Sequence, residues 1–135
     1  MAHLTLKAAR FLHPLAAATV VALVFAQVYL IAEYVFGDAN ALTAHMTLGR
    51  VVVLFELIVL LTALVGWWRE WPEVRLSAAL AIVGGLQVSL ARDLGKTPEV
   101  HALHGMLALV VVVLASLIAI RSWREVFPPL ATAKG

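Results

Sequence analysis

Apolar residues come in four long blocks, and the polar residues gather mainly between them. In lipid the backbone must satisfy its own polar groups, so blocks of about 20 apolar residues predict membrane-crossing helices. The blocks place helices at about residues 11–36, 42–68, 74–90 and 98–123. Pro14 falls in the first block, where it either sits in a first turn or kinks the helix. The stretch Gly37-Asp38-Ala39-Asn40 predicts a turn, with Asp38 or Asn40 capping the second helix. Arg69 to Glu73 predicts a polar loop rimmed by Trp67, Trp68 and Trp71, residues suited to a membrane interface. Arg92 to Lys96 predicts the next loop. Thr97-Pro98-Glu99 then combines a cap residue, a proline at the first helical position and an acid in the first turn. Phe127-Pro128-Pro129 stops the fourth helix, and the tail to Gly135 is expected to fray.

The pattern predicts an all-α, integral membrane, four-helix antiparallel bundle, one domain over the chain, located in the cell membrane. Composition agrees, with 63% hydrophobic residues and a mean hydropathy of +0.97. Average soluble domains are nearer 45–50% apolar. The chain has no cysteine, which excludes thiolate metal sites, iron–sulfur clusters, disulfides and covalent c-type haem attachment. No stretch suggests nucleic-acid binding. No small-residue cleavage site follows a short apolar region, so the first helix is expected to be retained. Lys7, Arg10, Arg69, Arg75, Arg121, Arg124 and Lys134 lie on one set of flanks, and Arg92 and Lys96 on the other. The positive-inside rule then predicts cytoplasmic N and C termini.

The polar residues inside the blocks carry the candidate chemistry. His45 lies near the start of the second helix, and His101 and His104 near the start of the fourth. Counted from Asp38 and Thr97, His45 and His104 both fall seven residues in (45 − 38 and 104 − 97). That is about 10 Å along each helix, so parallel second and fourth helices present the two imidazoles at one depth. The halves echo each other, with Gln27, Gly37, His45 and Trp68 answered by Gln87, Gly95, His104 and Trp123. Small residues flank each histidine: Gly49 after His45, and Gly105 and Ala108 after His104. Such residues make room for a planar macrocycle, or alternatively for close helix packing. The combination predicts one haem b per chain, bound by His45 and His104 as metal ligands. The other ring nitrogen of each is expected to be held by a carbonyl or carboxylate, with the backbone carbonyls one turn earlier, at Ala41 and Val100, within reach. His101 is the competing ligand, or a partner for a propionate. His13 is expected to be an interfacial or capping histidine, and His3 to lie outside the membrane.

Glu56 is 11 residues past His45 and shares its face (56 − 45). It is expected buried and protonated, either relaying protons, lining a quinone pocket or bonded to a neighbouring helix. Arg50 points away from His45, with Gln27, Glu33, a partner protein or a lipid headgroup as the candidate contacts. Gln27 and Gln87 are expected to donate hydrogen bonds between helices, and Gly84-Gly85 to mark close packing or ligand approach.

The segments QVYLIAEYVFGDANALTAHMTLG and QVSLARDLGKTPEVHALHGMLAL resemble one four-helix half of heme A synthase. In that family each half carries a glutamine-containing odd helix, a short outward loop and an even helix with a haem-ligating histidine. The resemblance covers about residues 11–123 and implies His45 and His104 as axial ligands of one haem. The chain has one half where the family has two, and Asn40, Ala41 and Leu42 stand where the family places an acid before the first histidine. Those departures point to a small b-type membrane cytochrome, with a quinone or other redox subunits as partners, alone, as an oligomer or in a larger complex. A non-haem accessory subunit and a heme A synthase-like enzyme are the alternatives.

Overall fold

A computed structural model describes residues 2–92 and 97–128. The fold is all-helical: α1 (Ala2–Val35), α2 (Ala39–Gly66), α3 (Trp71–Arg92) and α4 (Pro98–Val126). All four are long and apolar enough to cross a membrane. Three helices begin earlier than the apolar blocks do, α2 by three residues (42 − 39). Helix α1 runs back through Lys7 and Arg10 to Ala2, with Pro14 inside it. Helix α3 starts at Trp71, so Pro72 and Glu73 belong to its first turn and the polar loop is shorter than expected. A proline is harmless there, because first-turn N–H groups have no helical partner. The second half's Gly95, with the rest of residues 93–96, lies outside the described residues, as do the tail from residue 129 and the His3 side chain.

The join between α1 and α2 is a glycine-terminated stop followed at once by a cap. Gly37 takes a positive φ of 115°, its N–H donates to the Tyr34 carbonyl, and the Asp38 N–H reaches back to Glu33. This double bond is the usual way a helix end satisfies its last carbonyls, and a residue with a Cβ would be strained at Gly37. Asp38 then caps α2 by accepting from the Asn40 N–H at 2.9 Å.

Each helix packs on two neighbours, in the cyclic order α1, α2, α3, α4 and back to α1. The diagonal pairs α1/α3 and α2/α4 make no close backbone approach. The core is built mainly of small and β-branched residues, among them Ala17, Val20, Val59, Val111, Ala115 and Ile118, with Leu80 beside them. Small residues let helices approach closely in lipid, where burial of apolar surface between helices supplies little drive. Large apolar residues such as Phe25, Leu61, Ile82 and Leu109 point outward, as expected where the surroundings are hydrocarbon.

Several polar positions recur between the two halves at nearly constant offsets. Gln27 and Gln87 stand 60 residues apart (87 − 27), and so do His13 and Glu73 (73 − 13). On the even helices the offset is 59, linking His45 to His104 (104 − 45) and Thr62 to Arg121 (121 − 62).

Candidate functional site

Polar side chains meet across each diagonal of the bundle, at opposite ends. Near the starts of α2 and α4, His45 faces His104 with ring centroids 6.4 Å apart and ring planes at 77°. Both rings are partly buried. His45 Nδ1 donates to the Gln27 carbonyl at 3.1 Å, and His104 Nδ1 donates to the Gln87 carbonyl at 2.9 Å. The expected carbonyls, at Ala41 and Val100, belong to the histidines' own helices. The observed ones belong to the preceding helix. The glutamines therefore act through their main chains as acceptors, where side-chain donation was expected.

A carbonyl can only accept, so each Nδ1 must carry the proton and each Nε2 keeps its lone pair. This is the tautomer a metal ligand needs, held by the kind of outer partner that orients ligating histidines. Two imidazoles on one metal ion, with metal–nitrogen bonds of about 2 Å, set their ring centroids about 6 Å apart. The observed spacing fits. Among the described residues no group of three or more His, Cys, Asp or Glu comes together. A bare zinc ion takes three or four protein ligands. A pair of imidazoles instead suits a metal whose equatorial positions a macrocycle already fills, so the residues fit a haem.

The neighbouring positions divide. Gly105 faces open space, with nothing near the place a Cβ would occupy. Ala108 packs against the bundle core. Gly49 does not face a vacant slot: a Cβ there would lie 3.1 Å from Gln27 Nε2, so the glycine admits the glutamine side chain. His101 is exposed, one turn from His104. Arg50 is also exposed, and Glu33, one of its expected partners, instead accepts from the Tyr29 hydroxyl at 2.5 Å.

The far end of the bundle holds a cluster the sequence did not announce. His13, expected at the interface, is fully buried. Its Nδ1 donates to the Val59 carbonyl at 3.1 Å and to the Thr62 hydroxyl at 2.9 Å. Its Nε2 lies 3.7 Å from Glu73 Oε1, across the α1/α3 diagonal. Arg121 Nε lies 3.4 Å from the other oxygen of Glu73. Trp67, expected to rim the interface with Trp68 and Trp71, is buried against His13 at 4.7 Å between ring centroids. Its Nε1 donates to Glu125 Oε2 at 2.7 Å, while Trp68 and Trp71 stay exposed. The 60-residue offset was the available signal, since it sets Glu73 opposite His13 in the repeat.

Glu56 lies between the ends, 2% exposed as expected. Its carboxyl fills the space over Gly84 on α3, which any Cβ would invade, while Gly85 faces open space. Glu56 Oε2 has no hydrogen-bond partner, so the expected bond to a neighbouring helix is not made through that atom. The repeat equivalents of Glu56 and Gly84 are Ala115 (115 − 56 = 59) and Val24 (84 − 24 = 60), both buried. Large against small in one half is answered by small against medium in the other.

No protein-family model, curated protein or solved structure matches the chain.

Proposed function

We propose that the chain is a b-type membrane cytochrome that holds one haem b between His45 and His104 and passes electrons in a respiratory or quinone-linked chain. The observation that carries this reading is the matched pinning of the two Nδ1 atoms by Gln27 and Gln87. It prepares both Nε2 lone pairs, in rings spaced as one metal requires. When bound, haem iron with two imidazoles supplies one-electron redox chemistry and keeps no open position for oxygen. His45 and His104 hold the ligand from opposite helices, and the Gln27 and Gln87 carbonyls fix tautomer and ring orientation. Gly105 leaves room beside His104. The likeness to half of heme A synthase supports a haem-binding role for the same two histidines. We read the helices as antiparallel with both termini cytoplasmic, on the strength of the short connections and the flanking charges. That orientation puts the histidine pair near the outer face.

The test is an absorbance spectrum of protein made with haem in excess. The wild-type chain should show a sharp reduced-state α-band. His45→Ala and His104→Ala should each lose it, leaving high-spin or absent haem, while His13→Ala and His101→Ala keep it. A wild-type protein that takes up no haem sinks the reading. Loss of the band in His101→Ala with its retention in His104→Ala transfers the ligand role on α4 to His101.

A further inference from the structure

At the buried end, two groups face each other with no proton between them when both are in their ordinary protonation states. His13 Nδ1 faces the Val59 carbonyl, which only accepts. The Thr62 hydroxyl accepts from the same atom, because its own hydrogen is directed to the Ile58 carbonyl at 2.7 Å. Nδ1 is therefore protonated, and a neutral His13 presents a bare lone pair at Nε2. Opposite it stands Glu73 Oε1, an acceptor when ionised. Two acceptors would then face each other at 3.7 Å in a region closed to solvent, His13 being 0% and Glu73 2% exposed. Buried polar atoms without partners are rare and call for an occupant. His13 Nε2 and both carboxylate oxygens of Glu73 are among the few such atoms here. One additional proton, on the imidazole or on the carboxyl, resolves the conflict. The separation exceeds a direct hydrogen bond and suits a bridge.

We propose that His13 and Glu73 form a proton-loading site that binds one exchangeable proton and serves Glu56 in the bundle interior. The route in is a groove at the start of α3 and end of α4, lined by Arg69, Glu70, Glu73, Arg121 and Glu125. Arg121, half exposed, reaches from this groove to Glu73 Oε2 and holds the carboxylate in place. Of the other acids at the groove, Glu70 pairs with Arg10 at 2.8 Å and Glu125 accepts from the Trp67 indole. On the inner side, Thr62 stands six residues from Glu56 on α2 (62 − 56), about 9 Å along the helix. Glu56 supplies another partnerless buried oxygen. A water-linked path from His13 to Glu56 accounts for these atoms together. It lies at the far end from His45 and His104, and its existence does not depend on haem binding.

Two measurements on the whole chain in lipid decide the matter. In protein labelled with 15N-histidine, the His13 signals should show both ring nitrogens protonated. Alternatively, infrared spectra should show a protonated carboxyl band that Glu73→Gln removes. A neutral His13 beside an ionised Glu73 overturns the proposal. On transfer to D2O, the carboxyl band removed by Glu56→Gln should shift at least about tenfold more slowly in Glu73→Gln than in wild type, the scale of losing one positioned proton donor. Equal rates overturn it, as does the absence of any band that Glu56→Gln removes. If Glu73→Gln fails to fold, Thr62→Val serves for the exchange arm with the same outcomes. The protonation arm then rests on the wild-type chain, with His13 assigned by replacing the other histidines.

Discussion

The two ends of the bundle use one repeated framework for opposite purposes. At the His45–His104 end, both rings are partly open, and their free nitrogens lack a protein partner by arrangement. At the His13–Glu73 end the groups are closed in, ringed by Thr62, Trp67 and Arg121, with the two side chains facing each other. The repeat keeps the identical residue at 45 and 104, but sets His13 against Glu73. Identical partners suit a symmetric ligand between them. Unlike partners, one a base and one an acid, suit a proton.

The sharpest way to break this comparison is to remove one member of the closed pair. Glu73→Ala leaves His13 and Arg121 without their acid. Breaking a buried pair costs about 3 kcal/mol, the low end of the usual range, since Arg121 can turn to solvent. Denaturant unfolding in detergent, followed by tryptophan fluorescence, should show it. A cost near zero would mean the closed end is as loose as the open one.

Next comes the middle. Gly84→Val drives a side chain into the Glu56 carboxyl and should destabilise by about 2 kcal/mol, as overpacked cores do. In a Glu56→Ala background most of that loss should vanish, giving a coupling of about 1 kcal/mol or more. Additive costs would show that Gly84 does not exist to seat Glu56.

At the open end, His45→Ala in protein without haem removes one partly exposed hydrogen bond and should cost only about 1 kcal/mol. The same substitution should abolish the stabilisation that added haem confers on wild type, since a ligand stabilises only what it binds. The smallest effect is expected at the rim, where the Arg10–Glu70 pair is roughly half exposed. Glu70→Gln should cost under about 1 kcal/mol, measured in the same unfolding assay.

The four helices, Asp38 as a cap and the facing of His45 and His104 were legible because each rests on a local rule: an apolar run, a capping residue, a count of turns. What was missed rests on contacts between helices. Pro72 read as a loop marker and drew Glu73 into a loop, although a first helical turn tolerates proline. His13 looked interfacial because its partners lie 46 to 60 residues away, on α2 and α3. The acceptors for His45 and His104 were expected one turn back in the same helix, whereas the preceding helix supplies them. Gly49 read as space for a ring, while the space belongs to Gln27.

The pattern of hydrogen bonds also bears on the order in which such a chain can enter a membrane. Chains are made from the N-terminus and their parts assemble in turn. Within the first pair of helices, His13 is already satisfied by Val59 and Thr62, and His45 by Gln27. Within the second pair, His104 is satisfied by Gln87, and Glu73 meets Arg121. Each pair can therefore sit in lipid before the other arrives, without an orphaned imidazole exposed to hydrocarbon, where polar groups are costly. Glu56 is the exception. Its seat over Gly84 forms only when α3 docks, so this carboxyl marks the intermediate that lacks α3.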